Sequence, residues 1–335
     1  MVPLHVRLLG SIAAAVFALA LSGPVSAFEK YLPEKTEVVV GMNVRQIIES
    51  PPIKKYGPAL MAEFWFKFLV LTNKEGFKAL IEGNPGVFQK DKAKAGEQLA
   101  IMAEYGAGLV IAGPLDGRDE DALVIIQGKF EPEKVREIVR FADSTRFLGL
   151  SVTTQKVGER EVYEVVPPQI GAKGLFVAVA DSQHILLAES KEWILASLAD
   201  STSNAKPRFN DRLQTLLGKV DRTQSAWMVA APVKDLQLEE VTAGIRIDSD
   251  IRMEVNVVAK SAVEAQAIAQ EATTGLGQLG GVLKDLAREF PELSPLVTLP
   301  EAAKVTQEGK AVHLSAQIAA PVVEDVLKLV AKERP

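Results

Sequence analysis

Past residue 27 the chain alternates short β-branched runs with amphipathic stretches. Residues 36–44 are rich in Val and read as a strand, and 45–50 as a short helix stopped by Pro51 and Pro52. Met61, Phe64, Trp65, Phe68 and Leu71 recur at helical spacing within 59–71, and 77–81 reads as another short helix before Asn84-Pro85-Gly86. Two β-rich runs, 108–113 and 122–130, flank a polar turn segment, after which Glu131-Pro132-Glu133 opens a helix reaching about Phe141. Runs 151–157 and 161–166 flank Gly158, and runs 175–180 and 184–189 flank Asp181-Ser182-Gln183, so each pair predicts a hairpin. A helix over 191–198 closes this half.

The second half repeats the order. Strands are predicted at 226–233 and 251–259, a helix from Ser261 to about Thr273, a hairpin of 303–307 and 311–318 around Glu308-Gly309, and a closing helix over 321–332. The stretch from Ala122 through Glu131-Pro132-Glu133 has the same strand-to-helix pattern as the stretch from Ile251 through Ser261. Short turns between strands exclude a parallel βαβ fold, whose connections need a dozen or more residues. The expectation is an α+β protein of two related units, 28–200 and 201–335, each an antiparallel sheet with helices packed on one face. Ser201 to Lys206 is the predicted linker.

The first 27 residues add an address. His5 and Arg7 precede an apolar run over 8–21, and Val25-Ser26-Ala27 places small residues at the −3 and −1 positions of a secretory cleavage site before Phe28. A 14-residue apolar run is short of the roughly 20 residues needed to span a bilayer, and no later segment is longer. The expectation is an exported periplasmic or extracellular protein with no transmembrane segment in the mature chain. Cysteine is absent, which excludes disulfides, thiol nucleophiles, lipid-modified cysteine and Cys-ligated zinc. The net charge of −5 becomes −6 on loss of Arg7, which supplies no general field for nucleic acid. At 335 residues, 47% hydrophobic and 24% charged, the chain is of globular composition and long enough to build a core without staples.

Candidate chemistry is sparse. Gly275-Leu276-Gly277-Gln278-Leu279-Gly280 matches the dinucleotide fingerprint as a string, but it follows an Ala-rich helical stretch rather than a strand, so it reads as a flexible break or a close helix contact and implies no cofactor. His184 and His313 sit at similar places in the two halves and read as polar strand-edge residues; no metal site is expected. Asp116, Asp119, Glu120 and Asp121 crowd one loop without EF-hand spacing. There is no Gly-x-Ser-x-Gly elbow, His-Glu-x-x-His or P-loop lysine, so no catalytic residue is assigned. The most unusual feature is Phe64-Trp65-Phe66-Lys67-Phe68, apolar nearly all round on a helix. It belongs in a core, or else Trp65, Phe66 and Phe68 form a surface for a hydrophobic ligand or a protein partner.

The segment from Phe28-Glu-Lys-Tyr-Leu-Pro to Glu49-Ser-Pro51 resembles uncharacterised exported α+β proteins of planctomycete bacteria. That resemblance implies export and this architecture, and carries no catalytic residues. Three functions follow in order of support: a non-catalytic protein acting through an interaction surface or as an envelope component, a carrier of a hydrophobic or lipid-like ligand, and a hydrolase with dispersed carboxylates.

Overall fold

The computed structural model describes residues 28–55, 108–115, 122–133, 135–136, 151–158, 160–166, 174–200, 209–231 and 238–332. In chain order the elements used below are β1 (Val38–Asn43), α1 (Val44–Glu49), β2 (Gly108–Gly113), β3 (Leu123–Gln127), β4 (Ser151–Val157) and β5 (Arg160–Val166). Next come β6 (Leu175–Asp181), β7 (His184–Ala188), α2 (Lys191–Asp200), α3 (Asp211–Lys219), β8 (Ala226–Ala230) and β9 (Leu238–Ile247). The remaining elements are β10 (Ile251–Ala259), α4 (Ala262–Glu289), β11 (Ala303–Glu308), β12 (Ala311–Ile318) and α5 (Ala320–Lys332). The fold is α+β, and all the strand pairs given below are antiparallel.

Two compact units are present. One takes the described chain up to Thr36 and from 108 to Phe209; the other takes Glu37 to 55 and everything from Asn210 onward. The segment carrying β1 and α1, which the sequence reading grouped with 28–200, thus lies with the second unit. Its partner is distant in sequence: Val38 to Met42 of β1 pair with Ala230 to Ala226 of β8, and the Ala231 amide donates to the Glu37 carbonyl. Hydrophobic pattern identifies a strand but not its partner.

In the first unit the strand order is β2-β3-β7-β6-β5-β4. Alternation sends Val124, Ile126, Ile185, Leu187, Val177 and Tyr163 to one face, where they form a closed core with Phe130 and with Val135 of the helical residues after β3. Leu123, Ile125, Leu186 and Ala178, on the opposite face, have no exposure. They lie under α2, whose Trp193, Ile194 and Leu198 are buried and which packs on β6 and β7. Helical cover therefore reaches both faces here, which explains why β3 and β7 are apolar at every position but their Gln127 and His184 ends. The Arg160 guanidinium donates to the Leu198 carbonyl at 3.0 Å, placing a cation at the α2 C-terminus where the helix dipole favours it.

In the second unit the order is β1-β8-β9-β10-β12-β11. The long α4 starts at a capping box: the Ser261 hydroxyl accepts from the Glu264 amide at 3.2 Å and donates to the Glu264 carboxylate at 3.0 Å. Its first turns pack Ala265 and Ile268 over the row Val38, Ala230, Val241, Val257 and Val312. On the opposite face Arg252, Glu254 and Asn256 of β10 are exposed, whereas Val39 of β1 and Trp227 and Val229 of β8 are buried. α3 is capped by Asn210, which accepts from the Arg212 amide, and buries Leu213, Leu216 and Leu217.

The two units share a local order. A strand leads into a helix, and the last strand of a later hairpin, the second one in the first unit and the first one in the second, returns to pair with the strand before the helix: β7 with β3, and β12 with β10. Gln127 lies opposite His184 and Asn256 opposite His313, and 57 positions separate the partners in both cases. Trp227 of β8 lies across Gly41 of β1, so that a Cβ on Gly41 would collide with the indole ring. Gly41→Ala should therefore destabilise the protein by about 1–3 kcal/mol, read as a lower urea midpoint at unchanged slope, whereas Gly218→Ala, with open space around it in α3, should not destabilise at all.

Candidate functional site

Two arrangements stand out, one in each unit. The first is polar. Asp181, at the end of β6, accepts from the Gln183 amide and the His184 Nδ1, both at 2.8 Å, through one oxygen. Its other oxygen accepts from the Tyr31 hydroxyl at 2.5 Å and Lys30 Nζ at 3.1 Å. The Tyr31 ring lies 4.9 Å from the His184 ring, and both residues are 1% exposed. Burial works against the Asp181 charge, but the hydrogen bonds from His184, Tyr31 and the Gln183 amide outweigh it and hold the carboxyl well below the usual range. Burial first, then the bond to Asp181, pushes the Tyr31 phenol well above its ordinary value. Four donors on two carboxylate oxygens leave Asp181 little basicity for proton transfer. This cluster resembles an acid/base site in composition and works as a clasp.

The second arrangement is apolar. In the second sheet, side-chain alternation and register build the cross-strand row Val40, Met228, Ala243, Val255, Leu314 and Val305. Beside it runs Met42, Ala226, Ile245, Met253, Ala316 and Ala303. None of these twelve residues is buried, and Ile245 is 36% exposed. The corresponding row of the first unit, Val124, Leu187, Val177 and Tyr163, is no more than 9% exposed. The second sheet thus carries an apolar face closed at one end by α4 and only partly covered over the rest.

A cavity of about 520 Å³ continues this face at its β11 edge. Leu276, Gly277, Gly280 and Gly281 of α4 form one wall and Ala303 and Val305 of β11 the other, with Lys284 and Glu301 paired at 3.5 Å. The glycines correct the sequence expectation. α4 runs unbroken through them, so they are not a break, and added Cβ atoms at Gly275, Gly277 and Gly281 would meet nothing within 4 Å, so they are not a close helix contact. Only Gly280 has a neighbour, Pro300 at 3.7 Å. Glycine in a helix interior costs about 1 kcal/mol relative to alanine; here Gly277 and Gly281 leave room beside the cavity. Their mid-helix position also lacks the strand and helix N-terminus a pyrophosphate site requires.

His313 is engaged by Asn256, Nδ1 to Oδ1 at 2.7 Å, on the exposed polar face, and His184 by the clasp, so each histidine is used within its own unit. Among the described residues no cluster of three or more His, Asp or Glu forms a metal site, and no helix is long and apolar enough to cross a membrane. Trp65, Phe66 and Phe68 lie outside the described residues, as do Asp116, Asp119, Glu120, Asp121 and the 1–27 segment.

No family model and no curated protein matches the chain. A solved structure described as crystal form I of TP0453 is similar over 90% of this chain and 95% of its own, at 10% identity and a TM-score of 0.41.

The clasp sets a pH dependence on both sides. Asp181 is depressed on folding, so its contribution is present above about pH 4 and is lost as pH falls further; Tyr31 is raised, so its contribution is present below about pH 10 and is lost as pH rises further. Denaturant titrations should find Asp181→Asn less stable than the parent near neutrality, with the gap narrowing below about pH 4. The parent should lose stability above about pH 10 more steeply than Tyr31→Phe.

Proposed function

We propose that this chain is an exported, non-catalytic binding protein whose second unit holds a hydrophobic ligand of acyl-chain type. The observation that carries this reading is the pair of six-residue apolar rows left only partly covered in the second sheet, where Val124, Leu187, Val177 and Tyr163 on the inner strands of the first are closed. Burial of apolar surface stabilises a fold by about 25 cal/mol per Å², so a face left open across six strands forgoes several kcal/mol that a tighter α4 would recover. An adjoining cavity of about 520 Å³ is within the usual range for small-molecule sites, roughly 300–1,000 Å³. Leu276, Pro300, Ala303 and Val305 give it an apolar wall, and Thr273 with the Lys284–Glu301 pair a polar one, a combination that suits an acyl chain with a polar head. Export is supported by the predicted leader, and the non-catalytic role by the saturated state of the Asp181 cluster.

A second reading, a protein partner docking on α4, is favoured by Leu279, Val282, Leu286 and Phe290. These are exposed on one side of the helix at spacings of three, four and four.

The test uses the purified full chain and a fluorescent fatty acid. The parent should bind it saturably, and Gly277→Leu with Gly281→Leu should weaken binding at least about tenfold by filling the cavity. Gly277→Ala alone should raise stability by about 0.5–1 kcal/mol, because its Cβ meets no obstacle. Absence of saturable binding in the parent, or unchanged affinity in the Leu variant, sinks the ligand reading. If the partner reading holds instead, Val282→Lys with Leu286→Lys abolishes complex formation.

A further inference from the structure

We propose that the segment from Phe28 to Leu32 is a strap, clasped by Asp181, that closes the first unit and opens as a unit of its own without unfolding the sheet beneath it. The segment has the anatomy of a detachable part. It makes a single 3-10 turn, Glu29–Tyr31, in which Tyr31 bonds to the Phe28 carbonyl at 2.9 Å and Leu32 to the Glu29 carbonyl at 3.1 Å, and just beyond it Thr36 bonds to the Pro33 carbonyl at 3.0 Å. The described tie to the sheet is through side chains. Phe28, Tyr31 and Leu32 are 0%, 1% and 2% exposed, and the polar attachment is concentrated on one carboxylate some 150 positions away. A segment whose described amide bonds are local can open without breaking the ladders of β5 to β7, so its opening is governed by the side chains that dock it, Phe28, Tyr31 and Leu32 with the bonds to Asp181.

The clasp is placed where its release has a consequence. Asp181 ends β6, and the same oxygen that binds His184 also fixes the Gln183 amide in the β6–β7 turn. Loss of the strap would uncover the 1% exposed His184 and leave Asp181 with Lys30 and Tyr31 gone. At its other end the strap runs through Thr36 directly into Glu37 and β1 of the second unit, so its docking fixes where the chain leaves the first unit. The charged and titratable groups around the clasp are Lys30 and Tyr31 from the strap, Asp181 from β6, His184 from β7 and Arg160 from β5. The sheet below has its own ladders through β5, β6 and β7 and a core cluster that includes Val124, Ile126, Ile185 and Leu187, while Phe28, Tyr31 and Leu32 of the strap are themselves buried.

Native-state hydrogen exchange on the full chain tests this, reading the amides of Tyr31, Leu32 and Thr36 against those of β5 to β7. In the parent the strap amides should exchange faster than the sheet amides. Asp181→Asn should accelerate the strap roughly ten- to hundredfold, the range for losing hydrogen bonds to a charged group, with the sheet rates changed less than about threefold. Tyr31→Phe, which keeps the packing and removes one bond to Asp181, should shift the strap alone by a smaller factor and serves if Asp181→Asn does not fold. Equal acceleration of strap and sheet in either variant, or strap amides as slow as the sheet in the parent, overturns the proposal, because the segment would then be an inseparable part of the core.

Discussion

A sheet with one apolar face has to hide it, and how completely it does so separates the two halves of this protein. The first unit closes both faces of its central strands with helical segments and the N-terminal turn, and its core residues approach zero exposure. The second unit builds the same strand-to-helix-to-hairpin order but lays α4 across one end and one edge of the sheet. Its polar face is satisfied by solvent and by pairs such as His313 with Asn256. Its apolar face is left half-covered by residues that are strong β formers and poor surface residues. The glycines of α4 push in the same direction, since they sacrifice helix stability at a place where the extra room is not needed for packing.

The polar cluster of the first unit shows how composition alone can mislead. Histidine, aspartate and tyrosine in contact invite a catalytic reading, yet both Asp181 oxygens are committed, one to Tyr31 and Lys30 of the Phe28–Leu32 segment and the other to the Gln183 amide and His184 of its own turn. The depressed carboxyl and the raised phenol follow from that commitment, because the charged aspartate and the neutral tyrosine are the forms that make the bond.

Much of the architecture was legible along the chain. Alternation gave the strands other than β9, which was not predicted, Gly158 and Gly309 marked turns that the structure builds with positive φ, and Ser261 with Glu264 announced the start of α4. α4 itself was expected to end near Thr273 and runs to Glu289, because helix propensity is a weak prior and packing on β11 and β12 overrides four glycines. The transfer of β1 and α1 to the second unit depended on a pairing across nearly 190 positions, which no local pattern encodes. The candidate site was not read from the sequence for the same reason: its rows draw two residues from each of six strands, and only register assembles them. The aromatic run Trp65, Phe66 and Phe68 was conspicuous because it is local, and it lies outside the described residues.

The central claim is that the accessible face of the second sheet exists to hold an apolar chain. Native mass spectrometry of the mature protein, purified from its own envelope fraction and compared before and after organic extraction, tests it most directly. The account predicts a bound mass in the lipid range that disappears on extraction while the protein stays folded. A bare chain in both samples, or a stable complex with another protein and no small molecule, would contradict it.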